Sequence, residues 1–296
     1  MRAAVVGAGF AGLMWGLVLA EAGLEVSIYE EHNKVGYPPH CTGIVSERTV
    51  ELIGAPARRT VESSYEKVLF EGDDWSLEVP ISGAVRLDRV SLEELMLEEL
   101  RSKGARIIMG SRVSCACPRG ERVELKAQGG REGYDLVIIA EGYGGKLRER
   151  LGAGHRVLTS FGLNTDYLHS SRPPRGVILI SFPPYPGSVF SWALRAQGYT
   201  VVGALSLEAA NLARSVEWMA HRVGAEAPMR RYGGRVIHGP PLPPDLQARR
   251  AVIVGDAAGL NKPLTGGGLF PNALHARKAQ GLMREGLKPG DAALIA

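Results

Sequence analysis

The chain has 296 residues, 45% of them hydrophobic and 22% charged, with a formal net charge of +4 and a pI near 9.0. That is enough apolar material for one large core or two modest ones, and the mild basicity fits solubility as well as it fits an anionic substrate or lipid headgroup. No uncharged apolar run reaches 18 residues, the three cysteines (Cys41, Cys115, Cys117) lack metal-ligand spacing, and no basic cluster interleaved with aromatics points to nucleic acid.

Met1-Arg2 leads straight into Ala3-Ala4-Val5-Val6, leaving no room for a signal peptide, and the few cysteines suit a reduced, cytoplasmic protein. Arg2 to Gly7 is predicted as a buried parallel strand, Phe10 to Ala22 as a helix stopped by Gly23, and Glu25 to Tyr29 as a second strand ending at Glu30. The turn between strand and helix reads Gly7-Ala8-Gly9-Phe10-Ala11-Gly12. In such a turn Gly7 permits the tight bend, Gly9 lets backbone approach a pyrophosphate, and Gly12 lets helix and strand pack closely. The helix N-terminus adds free amides and a positive dipole end. Glu30, 18 residues beyond Gly12, stands where a carboxylate binds both ribose hydroxyls and repels a 2′-phosphate. Glu31 joins the cofactor set as its solvated neighbour.

Further along, Ser91 and Glu94 form a capping box for a predicted helix over Leu92 to Ser102, stopped by Gly104. Arg89, just ahead of it, either reaches cofactor phosphate or ribityl oxygens or is a surface arginine. Four strand-like runs follow, Arg106 to Met109, Arg112 to Cys117, Arg122 to Ala127 and Tyr134 to Ala140, separated by turn residues as in a β-meander. Val113 and Ala140 on these runs belong to the cofactor set, as do Glu141-Gly142, where the last run reaches the level at which such sheets bind ligands. Cys115 and Cys117 share one face of a strand, as a redox pair or, since neighbours at that spacing on an extended chain diverge poorly for a disulfide, as two small core residues, the better of the two readings.

Two stretches, 61–83 and 151–245, hold alternating strand patterns: Lys67 to Glu71, Trp75 to Val79, Val177 to Phe182, Val189 to Leu194 and Tyr199 to Leu205. They predict one mixed sheet. Phe190, Trp192 and Leu194 share a face, as an apolar wall or simply as sheet core. Pro183 to Pro186 and Pro240 to Pro244 are rigid connectors.

Near the end, Ala251 to Gly255 is a short apolar strand with Asp256 at its carboxyl end. A carboxylate there can accept from a ribityl hydroxyl, a group NAD lacks. Pro263 then shapes the edge of a turn through Gly266-Gly267-Gly268, which opens a final helix over Leu269 to Arg284 with Pro271 in its first turn. The amides of Gly267, Gly268 and Leu269 point at a pyrophosphate or a flavin carbonyl. Glycine-rich segments near both ends therefore imply FAD, its adenine half at the first and its flavin half at the second. The expected fold is α/β, a doubly wound FAD-binding parallel sheet with a β-meander (1–60, 84–150, 246–296) and a mixed-sheet substrate domain built from insertions (61–83, 151–245).

On five places the chain resembles the geranylgeranyl reductase family of flavoproteins, within the para-hydroxybenzoate hydroxylase fold group. They are Gly7 to Gly12 with Glu30, the stretch Pro39-His40-Cys41-Thr42-Gly43-Ile44-Val45-Ser46, the Arg89 pattern, Glu141-Gly142, and Gly255-Asp256 through Gly268. The resemblance implies that Cys41, Thr42 and Gly43 lie near the flavin and that FAD serves to saturate isoprenoid double bonds. It makes His40 a candidate proton donor or a surface histidine. Cys41 is a residue that positions substrate or sets flavin potential, or a small buried one. The implied partners are an apolar or lipid substrate, an external electron donor (NAD(P)H or ferredoxin), peripheral membrane contact and a second subunit. Three departures stand out. The usual Asp-Gly is Glu141-Gly142. The aromatic signature Tyr-x-Trp-x-Phe-Pro near Gly187 to Ala193 reads Ser188, Phe190, Trp192 and Ala193. The chain stops at Ala296, ten residues after Gly286, where the family usually continues, so a long-isoprenoid tunnel is expected to be short, open or completed by another subunit. A flavin monooxygenase of a small aromatic and an electron-relay flavoprotein in a complex are the alternatives.

Overall fold

The apolar run Ala3 to Val6 within Arg2–Val6 (β1) marks a strand covered on both faces, and it lies at the centre of a five-stranded parallel sheet. The computed structural model describes residues 1–154, 157–243 and 250–286 and divides into two units. The first comprises Met1–Tyr37, Glu93–Leu158 and Ile237–Ala296, the second Pro38–Leu92 and Thr159–Val236. The division differs from the one expected from sequence. Residues 38–60 and 84–92 belong to the second unit, since Ile44–Ser46 (β3) pairs with Ser76–Leu87 (β5) there. Residues 151–158 and 237–243 stay with the first. The expected boundary at 245/246, Pro244 and the last ten residues lie outside the described residues.

In the first unit, Glu25–Tyr29 (β2) and Arg106–Ile108 (β6) flank β1 on one side, and Leu136–Ile139 (β10) and Ala251–Ile253 (β16) on the other. Phe10–Glu21 (α1) packs on β1, β2 and β10, and Leu269–Arg284 (α7) packs on α1. Being covered by both the sheet and α7, α1 buries nearly every residue from Phe10 to Leu19. On the opposite face lies a three-stranded meander of Cys115–Arg119 (β7), Arg122–Ala127 (β8) and Gly130–Tyr134 (β9), whose Ala116, Val123, Leu125 and Tyr134 share a core with Val6, Val137 and Ile139.

Two expectations are corrected here. The run from Tyr134 to Ala140 is two strands in two sheets, broken at Asp135, whose carboxylate accepts the Arg2 N–H at 2.8 Å. Cys115 and Cys117 are joined in a disulfide with a Cα–Cα distance of 5.8 Å, within bridging range.

The second unit adds Val61–Glu71 (β4), Thr159–His169 (β11), Val177–Ser181 (β12), Ser188–Arg195 (β13), Thr200–Ser206 (β14) and Glu226–Ile237 (β15) to β3 and β5. Together they form an eight-stranded mixed sheet in the order β15-β11-β14-β13-β12-β4-β5-β3. Short helices Glu47–Ile53 (α2) and Ala55–Arg59 (α3) follow β3, and Leu212–Arg222 (α6) covers one sheet face with Val216, Met219 and Ala220. Sequence reading did not identify β11, β15 or α6. Of the Phe190–Trp192–Leu194 stripe, Leu194 is sheet core, fully buried with Tyr65, Ile178 and Val201, and Trp192 packs on them, while Phe190 is half-buried with its ring 5.7 Å from that of Trp192. Arg89–Ser102 (α4) runs from the second unit into the first, and Leu147–Arg150 (α5) is a single turn in the first. The cap of α4 is Asp88, whose carboxylate takes the Val90 N–H (3.1 Å) and the Ser91 hydroxyl (2.5 Å). The predicted start at Leu92 is therefore three residues late.

Candidate cofactor-binding site

In the first unit the turn after β1 is shaped by what its glycines exclude. Gly7 has φ +101°, and a side chain there would run into the Ala140 carbonyl at the end of β10. A methyl on Gly12 would overlap the Gly7 carbonyl and crowd Val5 at 3.1 Å. Gly9 differs from both, since a methyl there meets no atom within 4 Å. So Gly7 and Gly12 are required by packing, whereas Gly9 faces open space at the N-terminus of α1, where first-turn amides have no intrahelical acceptor. Phe10 and Ala11 open that helix, with Phe10 buried. Glu30 directly follows β2 and is only 8% exposed. Its carboxylate accepts the Ala8 N–H at 2.7 Å, and also the His32 N–H at 2.9 Å and Nδ1 at 2.6 Å. A buried carboxylate pinned beside the open glycine is the geometry a dinucleotide's ribose and phosphates require, so the residues present fit FAD. Glu31 is exposed and pairs with Arg112 at 3.4 Å, and Val113 is buried in the core beneath.

The second glycine segment meets the first directly. Gly255 has φ +70°, and a methyl on it would stand 2.9 Å from the Ala11 Cβ of α1. Gly255 and Asp256 begin a 3₁₀ turn, Gly255–Ala258, after β16. Asp256 is half-buried and accepts Asn261 Nδ2 at 3.0 Å. Pro263 is exposed, its carbonyl bonded to His238 Nδ1 at 2.8 Å. The Gly266 N–H closes the turn onto the Lys262 carbonyl (2.9 Å), and Gly267 returns a carbonyl to the Lys262 N–H (3.3 Å). Gly268 abuts Asn261 so closely that a side chain would collide with it, and Leu269 begins α7. Glu141, by contrast, uses both oxygens on its own chain. They accept the Leu147 and Arg148 N–H groups at 2.9 and 2.8 Å, capping α5, while Gly142 turns the chain at φ +69°.

In the second unit, Gly43 has φ +86°; a side chain there would strike the Leu87 carbonyl, and its Cβ would lie 3.5 Å from Arg89 Cγ. Gly43 and Arg89 are thus packed together. The Gly43 N–H points at Cys41 Sγ (3.4 Å), and Thr42 Oγ1 donates to Asn164 at 2.8 Å. Cys41 is a half-buried free thiol, and His40 is exposed with Nδ1 3.2 Å from the Pro38 carbonyl. Beside them opens a groove of about 700 Å³ lined by Pro38, Pro39, Phe161, Leu163 and Leu212 together with Arg231 to Arg235.

Sequence reading missed three polar residues, two that hold the second glycine segment of the first unit and one that holds Thr42 in the second unit. Asn272 accepts the Gly255 N–H at 3.0 Å and donates to the Leu260 and Gly268 carbonyls. Arg148 is buried and donates to the Ala257 carbonyl at 3.0 Å. Asn164 is buried and receives Thr42. The placement of Asn272 one residue after Pro271 in the first turn of α7 was the available signal; the other two offered none.

A family profile described as "FAD binding domain" matches residues 1–228. Among curated relatives, "Probable electron transfer flavoprotein-quinone oxidoreductase YdiS" of Escherichia coli K12 is 30% identical over 170 residues, 51% of this chain and 38% of that one. The chain likewise spans 40% of the length of the FixC proteins of Salmonella and Escherichia coli that it matches. "Digeranylgeranylglycerophospholipid reductase" of Methanothrix thermoacetophila is 25% identical over 97% of this chain and 78% of its own. Among solved structures, a geranylgeranyl bacteriochlorophyll reductase-like protein of Thermoplasma acidophilum superimposes with a TM-score of 0.84 at 16% identity, covering 99% of this chain and 81% of the other.

Proposed function

The chain belongs to the FAD binding domain family, with FAD as its cofactor, and from that premise we propose that it reduces carbon–carbon double bonds of a prenyl lipid or prenyl precursor. The observation that carries this reading is the groove of the second unit, about 700 Å³, walled by Pro38, Pro39, Phe161, Leu163 and Leu212 with the strand residues Arg231 to Arg235, and opening beside the segment that bears His40 and Cys41. An apolar chain gains free energy there by leaving water, roughly 25 cal/mol for each Å² of apolar surface buried. The likeness over 97% of the chain to a protein named for reducing a digeranylgeranyl lipid supports the same substrate class.

Bound FAD supplies hydride chemistry. The chain's part is to hold and orient. The N-terminus of α1 and the open Gly9 receive the phosphates, and Glu30 orients the ribose. Cys41, Thr42 and Gly43, pinned through Asn164 and Arg89, shape the substrate side. His40, its ring fixed by the Pro38 carbonyl, carries at Nε2 the proton that accompanies reduction. The electron donor is external, NAD(P)H or ferredoxin.

The test is anaerobic. Holoprotein reduced with dithionite is expected to be reoxidised by a prenyl diphosphate or a prenyl-glycerol lipid, with the lipid gaining two hydrogens per saturated bond by mass spectrometry. A reduced spectrum that persists with every such lipid overturns the reading. A second reading, an electron relay, is favoured by the relative named as an electron transfer flavoprotein-quinone oxidoreductase. Reoxidation by a quinone and not by the lipids would select it, and oxygen uptake stimulated by a phenol would select a monooxygenase.

A further inference from the structure

The Cys115–Cys117 bond has no part in the site or the reaction above. We propose that it is an exchangeable disulfide, a two-electron thiol couple open to attack by a small thiol or a dithiol protein.

Three observations carry this. First, the bond spans only Ala116, and the stabilisation a disulfide adds by restricting the unfolded chain is least for the shortest loops. β7 is already held without it, by a five-residue register with β8 and by Ala116 in the core. Second, neither cysteine is buried. Both cysteines are half-exposed on the face opposite the buried Ala116, and β7 ends the order β7-β8-β9, so one of its edges has no strand neighbour among the described residues. Third, the two sulfurs are not equivalent. Lys126 stands across from Cys115, whereas Glu124 stands across from Cys117 and is paired with Arg131 at 2.9 Å. An ammonium neighbour favours the thiolate form, which makes Cys115 the better leaving group.

The step follows. An incoming thiolate attacks Cys117 Sγ, the S–S bond breaks, and its electron pair leaves on Cys115 as a thiolate. The mixed disulfide at Cys117 is then attacked at the reductant's sulfur by a second thiol, which releases Cys117. The protein gains two electrons and two protons, and the reductant becomes a disulfide.

The experiment uses the holoprotein purified without reductant, alkylated under native conditions and mapped by peptide mass spectrometry. Before reduction neither Cys115 nor Cys117 is expected to be labelled. After mild dithiothreitol both are, with bound FAD retained and the melting temperature lowered by only about 2–5 °C. Glutathione is expected to leave its adduct on Cys117 in several-fold excess over Cys115. Reduction by glutathione alone identifies a small thiol as sufficient, and reduction only by a thioredoxin-type protein identifies a dithiol partner. Labelling of the pair before any reductant overturns the proposal. So does resistance to dithiothreitol until the protein unfolds, or a reduction that releases FAD and lowers the melting temperature by more than about 10 °C.

Discussion

Two glycines three positions apart separate binding from packing. Gly9→Ala places a methyl where the protein has no atom within 4 Å, so the apoprotein is expected to melt within about 2 °C of the parent. The same methyl stands where phosphate must approach, and FAD affinity is expected to fall at least about tenfold, about 1.4 kcal/mol. Gly12→Ala puts its methyl into the Gly7 carbonyl, and overpacking of that kind costs about 1–3 kcal/mol. Its apoprotein should melt several degrees lower. Thermal denaturation without FAD and a flavin-fluorescence titration distinguish the two, and equal melting temperatures for both variants contradict the assignment. The roles of Gly7 and Gly12 were legible because a missing side chain is itself the signal. Glu141 was legible only as an acid before a glycine; that its oxygens cap α5 depends on where residues 147 and 148 fold back.

At the scale of elements, α1 and α7 bury Trp15 against His275, with ring centroids 5.2 Å apart. Burial, helped by Lys278, pushes the His275 pKa below the ordinary histidine value. A base whose folded pKa lies below its unfolded value of about 6.5 contributes stability that is present above that value and lost as the pH falls through it towards the folded pKa. The melting temperature is therefore expected to drop between pH 7.5 and 5.5, and His275→Phe to flatten that part of the curve. Parallel curves for parent and variant would refute this. The helix over Leu269 to Arg284 was read from sequence with the bounds observed, because the glycine turn and Pro271 mark its start. α4 was misjudged because Asp88 and Ser91 are both competent caps three residues apart. The Asp88 N–H bonds to the Thr60 carbonyl, a contact from outside the helix that places the start at Arg89.

At the scale of the molecule, each unit is assembled from segments far apart in the chain. The first needs its last segment: β16 pairs with β10, and α7 covers the apolar outer face of α1. A chain ended after Val236 lacks both. It is expected to be insoluble or, if recovered, unable to bind FAD, as expression trials and absorbance of the purified fraction would show. A soluble, yellow fragment would contradict the assembly described.

The sequence by itself determined the strand–glycine turn–helix opening, the acid at the end of β2, the second glycine turn with its helix, and the alternation of the substrate-side strands. Each of these is decided within a few residues, by sterics at a missing side chain, by free helix-end amides or by the two faces of a strand. Only the tertiary structure decided the rest. It divided the run at Asp135 between two sheets, moved residues 38–60 to the second unit, and brought Gly255 against Ala11. Those outcomes turn on partners distant in sequence, and local pattern carries no record of which distant partner a strand, a carboxylate or a glycine turn will meet.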